Sequence, residues 1–257
     1  MLVLPAPLEG YLLIFIRTAA MLLSAPWFGN RAVPPQLKIG LMALISFLLF
    51  PIVDHRSLAV PQGLIPWILA IGGEFLLGLS IGLLIRFVFA AASMAGQLIG
   101  LEVGLNTPAV LNPEFEDQST VLHTLTDMMT LLIFLSTDAH HLLLRGLAHS
   151  FHVVPLLGWD FGGSSVEAMV CLSAELWHIA LRLGAPLLAA QFLSKIVLAL
   201  LARAAPQMNV FTVGFPLQIG AGLLMLGLML PMFATVLEEI FGEMGIEVVG
   251  MLSLLRR

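Results

Sequence analysis

The chain has 257 residues, of which 59% are hydrophobic and 11% are charged, and its mean hydropathy is +1.02. This composition carries too much apolar surface for a water-soluble domain and indicates helices that pack in lipid or against other apolar helices. The net charge of -5 argues against nucleic acid as a partner, because nucleic-acid binding needs a clustered basic face. The single cysteine, Cys171, excludes a disulfide framework.

Seven apolar segments follow one another along the chain. A helix needs about 20 apolar residues to cross the hydrocarbon core of a bilayer, and only the third, sixth and seventh segments clearly exceed that length. The fourth and fifth form either a tight pair or one helix broken at 136–141. We predict one all-α, integral membrane-type domain over 1–257, with about six long, kinked helices arranged as hairpins. The segments are Tyr11–Phe28, Leu37–Val53, Leu64–Ala92, Val121–Leu135, Leu142–Leu157, Met169–Leu201 and Val210–Phe241.

Charged residues inside the apolar segments are the next feature. An unpaired charge at bilayer depth costs a few kcal/mol, so each must face a partner, water or a neighbouring protein, and we expect most partners on other chains. Glu175, His178 and Arg182 share one helix face, which indicates either a proton relay or an ion-pair seam against another subunit. We favour the seam. The intersubunit or intramembrane charges are Arg17, Glu74, Arg86, Asp127, Glu175, Arg182 and Lys195.

Patterns that could carry catalysis or metal binding have a plainer explanation. The stretch Gly78–Gly82 matches GxSxG, but it lies inside an apolar helical pattern and lacks the strand-turn-helix context of a nucleophile, so we predict helix packing. Four histidines, at 140, 141, 149 and 152, gather after the fourth segment without an HExxH or paired-cysteine motif. We interpret them as interfacial or capping residues. We therefore predict no catalytic residue, no cofactor and no metal site.

Three glycines recur at every fourth position directly after the third apolar segment. Gly96, Gly100 and Gly104, with Ala92 one turn earlier, leave one helix face almost without side chains. Another backbone can approach such a face closely. We predict a helix-packing role for these glycines.

An acidic, Asn/Pro-rich stretch follows Gly104. Helix cannot comfortably continue there, because two prolines and two asparagines are followed by Glu114, Glu116 and Asp117 with no basic residue among them. From the residues alone the stretch is either a solvent-exposed connector or a functional loop. The residues singled out in it are Asn106, Pro108, Val110, Leu111, Asn112, Pro113, Glu114 and Phe115.

Prolines divide and bend the last two long segments. Pro206 should end the sixth helix near Ala204 or Ala205, so the two segments should fold back as a hairpin. Prolines inside the segments predict kinks. The turn residues are Arg203, Pro206, Gln207 and Asn209, and the internal prolines are Pro186, Pro216 and Pro231.

Two separated motifs resemble the FliR family of flagellar type III export-gate subunits. They are LARAAPQMNVFTVGFPLQIG at 201–220 and GQLIGLEVGLNTPAVLNPEFED at 96–117, with the DAHH turn of 138–141 between them. The related injectisome export-apparatus family shares the APQxNVF turn but usually continues differently where this chain has GFPL at 214–217. The resemblance therefore favours the flagellar branch, with the injectisome branch as the alternative.

The resemblance implies a position in an assembly. Family members occur as a single copy with FliP and FliQ subunits, with FlhB around the entrance and FlhA as a further partner, in the bacterial inner membrane at the flagellar basal body. It implies a FliP-like part over about 1–168 and a FliQ-like helical hairpin over about 169–257. It also implies that the loop at about 105–120 plugs the lumen through which unfolded flagellar proteins pass.

Two rival classes of function share some of these features. A secondary transporter also has broken helices, intramembrane charges and glycine-rich faces, and it predicts a small-molecule pocket. An intramembrane enzyme predicts a single serine, aspartate or histidine on which turnover depends.

Overall fold

The computed structural model describes residues 6–26, 33–53, 63–104, 121–158, 163–204 and 210–254. Within these ranges the chain forms α-helices and no strand, so the all-α prediction is confirmed. The helices are α1 (Ala6–Ser24), α2 (Pro35–Leu49), α3 (Leu64–Val103), α4 (Val121–Ser136), α5 (Ala139–Val153), α6 (Gly163–Ala204) and α7 (Val210–Leu254).

Two of the described helices are long and apolar enough to cross a membrane. They are α3, with a mean hydropathy of 2.2, and the stretch Pro216–Met244 of α7, with a mean hydropathy of 2.0. Helix α6 supplies a third candidate, in which His178–Pro186 and Leu188–Leu200 meet at an angle of 44°. Pro186 explains this bend, because its nitrogen has no hydrogen to donate to the carbonyl four residues earlier.

The fourth and fifth apolar segments form two separate helices. Asp138 lies between them with a φ of 54°, in the left-handed region, and this conformation interrupts the α-helix. Helix α5 then begins with the N–H of His141 donating to the carbonyl of Asp138 at 2.8 Å. With 16 and 15 residues, α4 and α5 are each shorter than the roughly 20 residues of a bilayer span.

Glycine and proline explain where two of the long helices end. Gly104 has a φ of 86° and donates its N–H to the carbonyl of Leu101 at 3.1 Å, which ends α3 in the left-handed conformation that glycine adopts without strain. Helix α6 ends at Ala204, two residues before Pro206, as the sequence predicts.

The chain divides into two compact units that are interleaved along the sequence. The first contains Met1–Phe87, Asp138–Ala174 and Gly242–Arg257, and the second contains Val88–Thr137 and Glu175–Phe241. The FliP-like and FliQ-like parts concern kinship with other subunits, and that division stays a prediction.

Each unit has its own apolar core. In the first unit α1 packs on α2, where the hydroxyl of Tyr11 donates to the carbonyl of Ala43 at 3.1 Å. In the second unit the rings of Phe89, Phe134 and Phe241 meet with centroid separations of 5.3 to 6.1 Å. The contacts of Phe134 with Phe89 and Phe241 are edge-to-face, an arrangement that stabilises a core beyond the area that the rings bury.

Candidate functional site

A buried ion pair lies within the first unit. Arg17 of α1 is fully buried, and its Nε donates to Oε2 of Glu74 on α3 at 2.6 Å. Arg17 Nη1 donates to the hydroxyl of Ser150 at 3.2 Å and to the carbonyl of Val154 at 3.0 Å. The other oxygen of Glu74 accepts the N–H of Leu157 at 3.0 Å. The network therefore ties α1, α3, α5 and the turn after α5 together.

The surroundings of this pair compensate for its burial. The guanidinium of Arg17 lies 4.2 Å from the ring centroid of Phe151, a cation-π contact that is strongest where water is excluded. Leu157 has a φ of 67°, which costs a non-glycine residue of order 1–2 kcal/mol, and its hydrogen bond to Glu74 holds that conformation. Both charges are paired and hydrogen-bonded, which is the condition under which a buried pair is tolerated. Within the described residues, Nη2 of Arg17 is the one nitrogen of the guanidinium that has no hydrogen-bond partner.

Next to this pair, α3 lies directly against the backbone of α1. A Cβ at Gly78 would overlap the carbonyl oxygen of Arg17, and a Cβ at Gly82 would overlap the hydroxyl of Ser24. Ser80, between the two glycines, is buried and donates to the carbonyl of Leu77 at 2.9 Å. These contacts agree with the helix-packing interpretation of the GxSxG match.

The three singled-out glycines of α3 have different surroundings. Gly96 faces Thr126 of α4 so closely that a Cβ at Gly96 would overlap the threonine hydroxyl. Gly100 is buried. Gly104 is the residue whose positive φ ends the helix.

The end of α3 is held by polar contacts from α6 and α7. Lys195 of α6 lies 2.5 Å from the carboxylate of Glu102, and Gln218 of α7 donates its side-chain N–H to the carbonyl of Glu102. At the next position, Val103 is fully buried and packs where Gly222 of α7 has no side chain. These contacts lie immediately before the stretch 105–120.

The side chain of Gln191 on α6 lies next to Gly222 and is fully buried in the second unit. Its amide nitrogen would meet a Cβ placed at Gly222, and within the described part of the chain neither its nitrogen nor its oxygen has a hydrogen-bond partner. Such a group is unusual, because more than about 90% of buried polar groups are hydrogen-bonded.

Two further charged residues also find partners within this chain. Arg182 Nη2 donates to Glu239 Oε2 of α7 at 2.7 Å, with both side chains about half exposed. Asp127 lies 3.7 Å from Nε2 of His123, and Nδ1 of that ring is 2.9 Å from the hydroxyl of Ser93.

The expectation that most charge partners lie on other chains is therefore wrong for five of the seven charges. Arg17 and Glu74 pair with each other, and Asp127, Arg182 and Lys195 also have partners in this chain. His123 lies one turn from Asp127, whereas the other partners lie on different helices, whose pairing does not follow from sequence spacing.

The remaining residues singled out from the sequence are either exposed or outside the described residues. Arg86 is exposed on α3, and Arg203 is exposed at the end of α6. The side chain of Glu175 lies outside the described residues. The loop residues Asn106, Pro108, Val110, Leu111, Asn112, Pro113, Glu114 and Phe115, and the turn residues Pro206, Gln207 and Asn209, also lie outside them.

Sequence reasoning missed the polar residues that complete these networks, which are Ser93, Glu102, His123, Ser150, Gln191, Gln218 and Glu239. Glu102 was visible as a charge inside the glycine-rich motif, but Ser150, Gln191 and Gln218 are polar side chains without any distinguishing pattern.

An apolar cleft lies within the second unit. It is lined by leucine, isoleucine, methionine and phenylalanine side chains, with Thr126 as the polar residue of its lining. A small-molecule site normally adds several convergent polar groups that orient the ligand. This cleft therefore does not support the transporter alternative.

Comparison with known proteins identifies the family. Residues 8–244 match the family described as bacterial export proteins, family 1. The chain is 32% identical over 236 residues to the flagellar biosynthetic protein FliR of Bacillus subtilis (strain 168), covering 90% of each protein. The chain belongs to the FliR family of bacterial export proteins.

Other FliR proteins match over a similar extent. The flagellar biosynthetic protein FliR of Escherichia coli (strain K12) is 30% identical over 236 residues, which cover 92% of this chain and 90% of that protein. That of Aquifex aeolicus (strain VF5) is 29% identical over 232 residues, which cover 90% and 89%. The resemblance stated from the two motifs is thus confirmed, and these FliR relatives carry flagellar names, the branch that the sequence favoured.

Proposed function

We propose that this protein is a subunit of the flagellar export apparatus that forms part of the export gate in the bacterial inner membrane. The observation that carries the proposal is the FliR family match over residues 8–244. Two helices long enough to cross a membrane support a membrane-embedded component. The protein catalyses no reaction in this proposal, and the energy for export comes from other components.

In this proposal the stretch 105–120 is a plug that keeps the channel closed. Irregular backbone is tolerated at membrane depth where it lines a cavity rather than lipid. Val110, Leu111 and Phe115 would seal the lumen, while Glu114 and its acidic neighbours would keep its wall hydrated. An entering unfolded subunit would push the plug aside.

The contacts at the end of α3 support such a role. A plug that blocks a channel needs a fixed base, and the carboxylate and carbonyl of Glu102 are both held by side chains of other helices. Gly104 then ends the helix two residues after Glu102. The residues that immediately precede the stretch are therefore held in place.

The exposed apolar side chains support contacts with lipid and with other subunits. Phe47 of α2 is 67% exposed, Phe192 of α6 is 65% exposed and Leu228 of α7 is 68% exposed. Surfaces of this kind are covered in the folded assembly of a membrane protein. We propose that these side chains contact lipid and FliP, FliQ, FlhB and FlhA homologues. In this proposal the FliP-like part spans about 1–168 and the FliQ-like hairpin spans about 169–257.

The plug is tested by removing it. Deleting 106–116 should leave assembly with the partner subunits intact but make the membrane permeable to ions and small solutes. A variant in which the same positions carry a Gly/Ser linker of equal length keeps the chain length and should also leak. Normal assembly of both variants with unchanged permeability would refute the plug.

A further inference from the structure

We propose that Asp138, His140 and His141, at the junction of α4 and α5, form a binding site for a divalent metal ion of the zinc type. The proposal is independent of the plug and of the export role. It also revises the sequence-based prediction of no metal site, which considered the histidines without the aspartate.

The three side chains bring one ligand atom each into a small volume. Oδ1 of Asp138 lies 3.3 Å from Nδ1 of His141 and 3.9 Å from Nε2 of His140, and all three ligand atoms are within 4.8 Å of one another. Zn²⁺ binds His nitrogen and carboxylate oxygen at about 2.0–2.2 Å in tetrahedral geometry, which places its ligand atoms roughly 3.3–3.5 Å apart. Small side-chain rotations would therefore bring the three atoms to bonding distance of one ion.

The carboxylate of Asp138 is turned toward the imidazoles rather than toward the helix. Asp138 occupies the N-cap position of α5, where an aspartate usually accepts a backbone N–H of the first turn. Here it makes no side-chain capping hydrogen bond. Its left-handed backbone, with φ 54° and ψ 23°, instead directs the carboxylate to both rings, whose centroids are 4.1 Å apart.

The position of Asp138 just before α5 also explains why the sequence spacing does not reveal the cluster of Asp138, His140 and His141. Metal-binding histidines on a helix are normally three or four residues apart, whereas His140 and His141 are adjacent. They converge because they lie in the first turn of α5, and the aspartate that joins them precedes the helix.

The ligand chemistry selects the metal. Two imidazoles and one carboxylate suit Zn²⁺ and related transition metals, whereas Mg²⁺ and Ca²⁺ prefer oxygen ligands throughout. Three protein ligands leave a fourth position open to water or to a ligand from a neighbouring molecule. The side chains of Asp138 and His141 are 73% and 60% exposed, so an ion reaches them without a change in fold.

The test is calorimetric titration of ZnCl₂ into the full-length chain, purified in detergent with a tag that contains no histidine. The wild-type chain should bind one equivalent with micromolar affinity. Asp138→Asn and His141→Ala should each weaken binding by more than about tenfold, since even outer-shell changes cost roughly 10–100-fold. His141→Cys, which restores a zinc ligand, should retain binding.

The chain offers a matched control on the same helix. His149 and His152 have ring centroids 6.4 Å apart, and they are not part of the metal-ligand group at 138–141. The double variant His149→Ala/His152→Ala should bind zinc as the wild type does. Absorption of bound Co²⁺ in the visible range reports tetrahedral coordination, and its loss should follow the same variants.

Two results would overturn the proposal. One is zinc binding by Asp138→Asn and His141→Ala that equals the wild type, and the other is loss of binding in the His149/His152 variant alone. Elution of each variant as a monodisperse peak separates a lost site from a lost fold.

Discussion

Arg17 and Glu74 are 57 residues apart in the chain, yet Nε of the arginine lies 2.6 Å from Oε2 of the glutamate, with both side chains almost completely buried. The pair joins α1 to α3 in a protein whose helices otherwise present mainly aliphatic side chains. Since aliphatic surfaces of similar shape can pack in several registers, we expect the directional contact of this pair to favour one of them.

Breaking this pair should destabilise the first unit strongly. Arg17→Met leaves a buried carboxylate without its partner, and Glu74→Gln leaves a buried guanidinium uncompensated, so each should cost about 3–5 kcal/mol. The measurement is the temperature at which the detergent-purified chain loses its monodisperse peak.

An exposed pair provides the control for that experiment. Arg182→Met removes the partner of Glu239, but both side chains are about half exposed, so the loss should stay below about 1 kcal/mol. Equal effects of Arg17→Met and Arg182→Met on the melting temperature would contradict the account of the buried network.

Helix α3 should tolerate an added methyl group at one glycine and not at another. Gly78→Ala forces a Cβ into the carbonyl of Arg17 and should cost about 1–3 kcal/mol or more. Gly72→Ala, on the same helix, has nothing within 4 Å of the added Cβ and should be neutral or stabilise by up to about 1 kcal/mol. Thermal stability of the two variants decides the point, and a loss of stability in Gly72→Ala as large as in Gly78→Ala would be inconsistent with the packing.

A compensating pair of substitutions tests the contact between α3 and α4. Gly96→Ala should destabilise the chain by roughly 1–3 kcal/mol, because its Cβ overlaps Thr126. Thr126→Ala should recover much of that loss in the double variant, since the overlapping hydroxyl and methyl are removed. A double variant whose stability equals the sum of the two single losses would show that the two positions do not contact each other.

The sequence predicted the helices because each one is an apolar run bounded by proline, glycine or polar residues. It left the division of α4 and α5 open, since both runs are short and the break depends on the left-handed backbone of Asp138. No local pattern distinguishes that conformation from a continuous helix.

Charge pairing between different helices could not be predicted from the sequence. Arg182 and Glu175 share a helix face by spacing, yet the described partner of Arg182 is Glu239 on the following helix. Such pairing depends on which helices pack together and in which register. Neither is determined by the periodicity of a single segment, so only the presence of the charges was predictable.

The contact between Glu102 and Lys195 at the end of α3 should influence gating if the proposed plug is correct. Glu102→Lys or Lys195→Glu places like charges together, which should loosen the base of the plug and increase ion leakage through the assembled gate. The charge-swapped double variant should restore a closed gate. Because the pair is partly exposed, its effect on stability should stay within about 1 kcal/mol. Leakage that persists unchanged in the double variant would mean that charge pairing at Glu102 does not control closure.

The export-gate assignment is tested most directly by crosslinking to a substrate during transport. A photoreactive residue at Leu111 should crosslink to an export substrate that is arrested in transit by fusion to a stably folded domain. The same residue at Leu224, which is 62% exposed on α7, should crosslink to lipid or partner subunits and not to the substrate. Substrate adducts at Leu224 together with none at Leu111 would contradict the assignment of 105–120 to the channel.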